Sequence, residues 1–176
     1  MPKHWKKGTY KFDYTEAVFE NPLIGQMATF LESIGIRVIA ASSLLPANFP
    51  GLDIQNGSVL IDESRAVHLG DILHEAGHIA MTEPGARNAL RLNPTGGEEL
   101  STLAWSYAAA TRLGLGAETV FYPESYQGFG DGLVANFVRG NYIGLPLMQK
   151  FGMTVEPRNA AARGVQPYPH MLRWLR

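Results

Sequence analysis

From Asn21 onward apolar residues recur at helical spacing, with Leu23, Ile24, Met27, Phe30, Leu31 and Ile34 on one face. Pro22 suits a first helical turn and Gly35 a stop. Ile36 to Ala40 then reads as a short strand rich in β-branched residues. After a loop carrying Pro46, Pro50 and Gly51, the runs Leu52 to Gln55 and Ser58 to Asp62 flank Asn56-Gly57, a strong signal for a two-residue hairpin. Helical spacing returns from about Ser64 to Met81, with Ala66, Leu69, Ile72, Leu73, Ala76, Ile79 and Ala80 as apolar positions, and Pro84-Gly85 ends it. A further helix spans about Glu98 to Leu113 and stops at Gly114. The pattern weakens beyond that point. Tyr122 to Gly132 reads as a loop, Leu133 to Arg139 and Leu145 to Phe151 as short helices, and Gly164 to Arg176 as irregular chain with a last turn at Met171 to Leu175. Without repeats or a low-complexity linker, this order predicts one α+β domain over residues 1–176, its core at about 21–113 and residues 114–176 as a C-terminal extension.

At 176 residues, 45% hydrophobic and 18% charged, the chain has enough apolar material for a single sizeable core. Fifteen Lys plus Arg against sixteen Asp plus Glu leave a net charge of −1, which argues against nucleic acid or an anionic membrane as an obligate partner. The basic start His4, Lys6, Lys7, Lys11 reads as a solvated terminus. With no cysteine, disulfides, thiolate metal ligands and a Cys nucleophile are excluded, and a reducing compartment fits. Met1 to Tyr10 is too polar for a signal peptide, and no run approaches the ~18 apolar residues of a membrane span. A cytoplasmic protein is the expectation.

The chemistry-bearing motif is His74-Glu75-Ala76-Gly77-His78. On a helix, positions four apart share a face, so both imidazoles reach one ion. Glu75 is turned about 100° away, off the metal but close to a water that the metal polarises. Zinc lowers the pKa of such a water to about 7, and a carboxylate can then take its proton during attack on a carbonyl. Gly77 removes a side chain beside the second imidazole and lets another element approach. With five His in the chain, a random His-Glu-x-x-His string is expected roughly 0.01 times, so the motif is specific for a metal.

A two-His zinc site that keeps one position for water needs a third protein ligand, and Met81 to Leu92 holds no His. Glu98 and Glu99 are the candidates, and as helical neighbours only one of them faces the ion. The spacing of Glu98 from His78 resembles the thermolysin-like arrangement. Thr95-Gly96-Gly97-Glu98, however, fits a capping box that gives Glu98 a structural task. Glu99 is then the preferred third ligand, sharing a face with Leu103 in an inward set of Leu100, Leu103, Ala104 and Tyr107, and Glu98 is the alternative.

Three segments resemble the minimal gluzincin core of the ImmA/IrrE-type metallopeptidases: Val59-Leu60-Ile61-Asp62, Gly70-Asp71-Ile72-Leu73-His74-Glu75-Ala76-Gly77-His78, and Glu99-Leu100-Ser101-Thr102-Leu103-Ala104. The resemblance covers roughly residues 50–113 and aligns Glu99 with that family's glutamate ligand. It implies a zincin-like domain in which a small twisted sheet packs on the zinc helix and a glutamate-bearing helix. The glutamate helix here closes on Leu113-Gly114-Leu115-Gly116 in place of the family's usual Leu/Met-Pro, and no helix-turn-helix module is evident.

The expected function is therefore a zinc metallopeptidase acting on a peptide or protein, with His74, His78 and Glu99 on zinc and Glu75 as general base. A catalytically silent zinc sensor, a hydrolase of non-peptide amides and a structural zinc site are the competing readings. Ser58 to Asp62 is either an exposed edge that would pair with an extended peptide or an internal strand paired on both sides. Tyr122, Tyr126, Tyr142 and His170 are candidates to steady an oxyanion, and spacing selects none. His68 reads as a helix-surface residue. Asp71, one turn before His74, is either an acceptor that orients an imidazole or an exposed helix carboxylate. Gln127 to Gly132 lacks the lysine of a phosphate loop and reads as flexible chain near the cleft.

Overall fold

The computed structural model describes residues 18–41, 50–65 and 67–176. The basic start, Pro46 and Ala66 lie outside the described residues. Helix α1 (Pro22–Ser33) is capped by Asn21, whose side chain accepts from the Leu23 N–H, and it buries Ile24, Met27, Ala28 and Leu31. Strands β1 (Arg37–Ala40), β2 (Leu52–Gln55) and β3 (Ser58–Ile61) form one sheet in the order β1-β3-β2. β1 runs parallel to β3, and β2 is its antiparallel hairpin partner, with Gln55 opposite Ser58 and Leu52 opposite Ile61. Asn56 and Gly57 both take positive φ (50° and 70°), as a two-residue hairpin turn with matching twist requires.

β3 is therefore internal, and every residue in it is buried. Of the two readings of Ser58 to Asp62, the internal strand holds, because β1 and β2 occupy both sides of it. A run of apolar residues without alternation is how a strand covered on both faces reads.

Helix α2 (Leu69–Met81) starts five residues later than its apolar spacing suggests. The Asp62 carboxylate accepts from the Ser64 N–H (3.3 Å) and hydroxyl (2.5 Å) and pairs with Arg65 (3.4 Å), which holds 62–65 in a turn that competes with helix. A 3₁₀ turn (Pro84–Ala86) follows, then α3 (Gly96–Arg112). Two glycines of α2 let other elements come close. A Cβ on Gly70 would lie 2.3 Å from the Thr119 carbonyl oxygen, and one on Gly77 would lie 2.7 Å from Thr102 Cγ2. Seven residues apart, they share a helix face with His74 and His78, so the packing face of α2 is also its imidazole face.

The face of α3 that meets α2 carries Thr102, Trp105 and Ser106, with the Ser106 hydroxyl donating to the Leu73 carbonyl at 3.2 Å. Leu100, expected inward, is 49% exposed. It stands two residues, or about 200°, from Thr102 and so points away from α2. Leu103 and Ala104 are buried and Tyr107 is half-buried.

Beyond α3 the elements are short: α4 (Ala117–Val120), α5 (Ser125–Gly128), α6 (Gly130–Val138), α7 (Leu145–Lys150) and α8 (Pro157–Arg163). The sequence reading does not anticipate α4 and α8, the expected Gly-rich loop holds α5 and the start of α6, and no helical turn forms at Met171 to Leu175. Residues 114–176 fold back on the core. Tyr168 donates its hydroxyl to the Ala104 carbonyl (2.8 Å), and Trp105 donates its indole N–H to the Trp174 carbonyl (2.9 Å). No helix among the described residues is long and apolar enough to cross a membrane.

Candidate metal centre

His74 and His78 stand one turn apart on α2, their rings 4.6 Å apart and nearly perpendicular. Glu99, in the first turn of α3, reaches both: its Oε1 lies 3.2 Å from His74 Nε2 and its Oε2 lies 3.5 Å from His78 Nε2. One donor atom from each residue falls within 4.8 Å of the other two, so the group could hold a metal ion. Donors bound to a tetrahedral ion at 2.0–2.2 Å lie roughly 3.3 Å apart, and each Glu99 oxygen stands near that distance from one imidazole. Burial, with the neighbouring His74, pushes the His78 pKa well down despite the pull of Glu99 and Glu98, and this keeps the ring neutral as a ligand must be.

Glu98 is engaged elsewhere. Its Oε2 accepts from the Thr95 N–H (2.9 Å) and hydroxyl (2.9 Å), while its own N–H donates to Thr95 Oγ1 (3.3 Å), completing the expected capping box. Its Oε1 takes a 2.8 Å bond from Arg176. Of the two glutamates, Glu99 is the one in the cluster.

Thr102 is the residue that sequence reasoning missed. Its hydroxyl donates to the Glu98 carbonyl (3.0 Å) and lies 3.4 Å from His78 Nδ1. The signal was available: Thr102 is three residues after Glu99 and so faces the same way. Tyr126, one of four undistinguished aromatic and His candidates, puts its hydroxyl 3.1 Å from His74 Nδ1. Burial, with the carboxylates of Asp71, Glu99 and Glu75 nearby, pushes its phenol pKa far up and keeps it protonated.

The other candidates sit elsewhere. Asp71 is only 8% exposed, not a surface carboxylate, and accepts from the Tyr122 hydroxyl on both oxygens (3.2 and 3.1 Å). Burial raises its pKa, opposed by that bond and by His68 and His74. His68 is exposed and stacks on the Tyr122 ring at 4.0 Å. Tyr142 packs among Tyr107, Phe137 and Tyr168. His170 lines a cavity of about 510 Å³ with Arg112 and Tyr168 beside the last turns of α3.

Glu75 is the remaining residue of the motif. It is half-buried, and among the described residues no hydrogen bond or ion pair engages its carboxylate. Burial raises its pKa to about 7, with His74 opposing and Asp71, Glu99 and Asp53 adding to the rise. Asp53 belongs to β2, the sheet edge on that side, and is paired to Arg91 at 2.8 Å. Comparison with family models, curated proteins and solved structures finds no match.

Proposed function

We propose that this chain is a zinc-dependent metallohydrolase that cleaves a peptide bond, with His74, His78 and Glu99 holding the ion. One observation carries the reading: an unengaged, half-buried carboxylate, Glu75, stands beside three convergent donors of the types zinc prefers. A site meant only to hold an ion has no use for it. Two imidazoles and one carboxylate leave a fourth position open, the donor count of a catalytic rather than a structural site. When bound there, zinc would supply a Lewis acid that polarises a carbonyl and lowers the pKa of a water to about 7.

The chain's own residues do the rest. Glu75 takes a proton on its carboxylate and later returns it to the leaving amine, the two tasks of one general base and acid. Thr102 orients His78 through its Nδ1, and the capping box on Glu98 sets the first turn of α3 from which Glu99 projects. A peptide is the favoured substrate for two reasons. Glu99 is 48% exposed, so the centre opens to solvent. β2 pairs only with β3 among the described strands, so its outer edge near Glu75 could take an extended chain, with the Ile54 N–H there held by the Asp53 carboxylate (2.9 Å) until such a chain replaces it. The resemblance of the motif segments to ImmA/IrrE-type metallopeptidases supports the same class.

The test is turnover by zinc-loaded protein on a peptide library, suppressed by a chelator and restored by zinc. Glu75→Gln is expected to keep fold and zinc while lowering turnover at least ~100-fold. Equal cleavage by Glu75→Gln overturns the proposed chemistry. No cleavage by zinc-loaded wild type makes the centre a sensor.

A further inference from the structure

We infer that Tyr126 is the positioning residue for His74, gripping its imidazole from the side opposite Glu99 so that the metal site is oriented before an ion arrives. The inference rests on His74 being a ligand, as proposed above. The ring is held at both ends of its nitrogen axis: Nε2 lies 3.2 Å from Glu99 and Nδ1 lies 3.1 Å from the Tyr126 hydroxyl. The two rings stand 5.6 Å apart at 68°, a contact in which the phenol meets the imidazole by its polar tip and not its face.

Tyr126 does not arrive there by helix periodicity. It and Gln127 have left-handed backbones, with φ of 52° and 61°, inside the single turn α5. That turn is tied to α2 itself. Tyr122 bonds Asp71, one turn before His74, and the Ser125 hydroxyl donates back to the Tyr122 carbonyl at 2.5 Å. Gly130 closes the far end, where a Cβ would lie 2.0 Å from the Tyr122 carbonyl oxygen. On its inner side Tyr126 packs 5.8 Å from the Phe121 ring. The hydroxyl is thus delivered by a segment anchored to the same helix that carries the imidazole.

The choice of a hydroxyl matters chemically. With no ion, His74 Nε2 carries the proton toward Glu99 and Nδ1 accepts from the Tyr126 O–H. With an ion on Nε2, the proton resides on Nδ1 and is donated to the Tyr126 oxygen. A hydroxyl serves both states by rotating its hydrogen, whereas a carboxylate or carbonyl only accepts. Metal uptake then needs a shift of one proton between ring nitrogens and no turning of the ring. Thr102 differs at His78: its hydroxyl proton goes to the Glu98 carbonyl, so toward His78 Nδ1 it acts as an acceptor.

The experiment is a chelator-competition measurement of the zinc dissociation constant in wild type, Tyr126→Phe and Tyr142→Phe, with nitrogen and proton NMR of the imidazoles in the zinc-loaded wild type and Tyr126→Phe. Tyr126→Phe keeps the ring and is expected to weaken zinc about 10–100-fold, the usual effect of losing a group that orients a ligand. Tyr142→Phe is expected within ~3-fold of wild type, as its ring lies among Tyr107, Phe137 and Tyr168. In wild type the His74 Nδ1–H proton should be visible and slow to exchange, and in Tyr126→Phe it should be lost. Affinity of Tyr126→Phe within ~3-fold of wild type overturns the inference while leaving the metal site standing. So does a zinc-loaded wild type whose His74 Nδ1–H exchanges freely, an outcome readable even if the variant fails to fold. Absence of zinc binding by wild type instead overturns the metal reading on which the inference rests.

Discussion

Between residues 69 and 112 two helices of thirteen and seventeen residues carry every candidate ligand at local spacings, whereas beyond residue 113 no helix exceeds nine residues. The first region organises itself: one turn separates the two imidazoles, a capping box starts α3, and Glu99 follows one residue after the cap's glutamate. The second region acts through single reaches across the chain, Tyr126 to His74, Tyr168 to Ala104, Trp174 to Trp105 and Arg176 to Glu98. The candidate ligands are placed by helical period, and the helices that carry them are met by long-range contacts from segments with little period of their own. The division is testable, because removing a ligand in the first region should abolish metal binding with the fold intact, and changes to the bracing contacts of the second, Tyr126 apart, should alter stability first.

The largest effect is expected on the first side. His78→Ala removes one of three ligands, and two donors do not hold a site built for three, so tight zinc binding should disappear while the circular-dichroism spectrum stays that of wild type. Metal analysis after dialysis checks it, with one zinc per chain expected in wild type. Stoichiometric zinc retained by His78→Ala would remove His78 from the centre and end the comparison on this side.

An intermediate effect is expected on the second side. The Trp174 ring meets Phe30 edge-on at 4.9 Å and Trp105 at 5.6 Å, so it joins α1 to α3. Trp174→Ala should cost roughly 2–4 kcal/mol, somewhat less than deletion of a fully buried aromatic ring because this one is only partly covered. Urea unfolding measures the loss, and the protein that remains folded should still take up one zinc. Loss of zinc at unchanged stability would show that the C-terminal chain belongs to the centre and does not merely brace it.

The same division explains what could be read from the amino acids. Pro22, Asn56-Gly57, His74-Glu75-Ala76-Gly77-His78 and Thr95 to Glu98 each act within a few residues: Pro22 opens α1, Asn56-Gly57 and Thr95 to Glu98 form the expected turn and capping box, and the two imidazoles fall on one face in a group that could hold a metal ion. The start of α2 was misjudged because the Asp62 side chain captures Ser64, a local competition that apolar spacing does not register. Leu100 is apolar but stands about 200° from Thr102 on α3, so its position on the helix and not its hydrophobicity leaves it exposed. Asp71 and Tyr126 are not legible for a different reason: their partners, Tyr122 and His74, lie some fifty residues away, and Tyr126 reaches His74 from the left-handed turn at 126–127. Two such residues in succession cost roughly 1–3 kcal/mol each, and neither Tyr nor Gln advertises that conformation. Tertiary anchoring, not local preference, sets that turn.

The smallest effect falls on Glu98, the residue where the two regions meet, since it caps α3 and also receives Arg176. Glu98→Ala should cost about 0.5–2 kcal/mol and leave zinc affinity close to wild type, because Glu99 alone of the pair reaches the imidazoles. The pH dependence of that cost identifies its origin. Burial works to raise the Glu98 pKa, but the Thr95 N–H and hydroxyl and the Arg176 guanidinium together hold it below the usual 4.5. A folded-state pKa below the unfolded one means that the unfolded chain binds the proton more readily. The carboxylate's contribution is therefore complete above about 4.5 and is lost as pH falls through the lower folded value. The stability gap between wild type and Glu98→Ala should be constant from neutral pH down to that point and shrink below it, as read by urea unfolding at a series of pH values. A gap unchanged into strong acid would assign the stabilisation to packing and not to charge. Loss of zinc in Glu98→Ala, with zinc retained in Glu99→Ala, would exchange the roles of the two glutamates and break the division at the point where it is drawn.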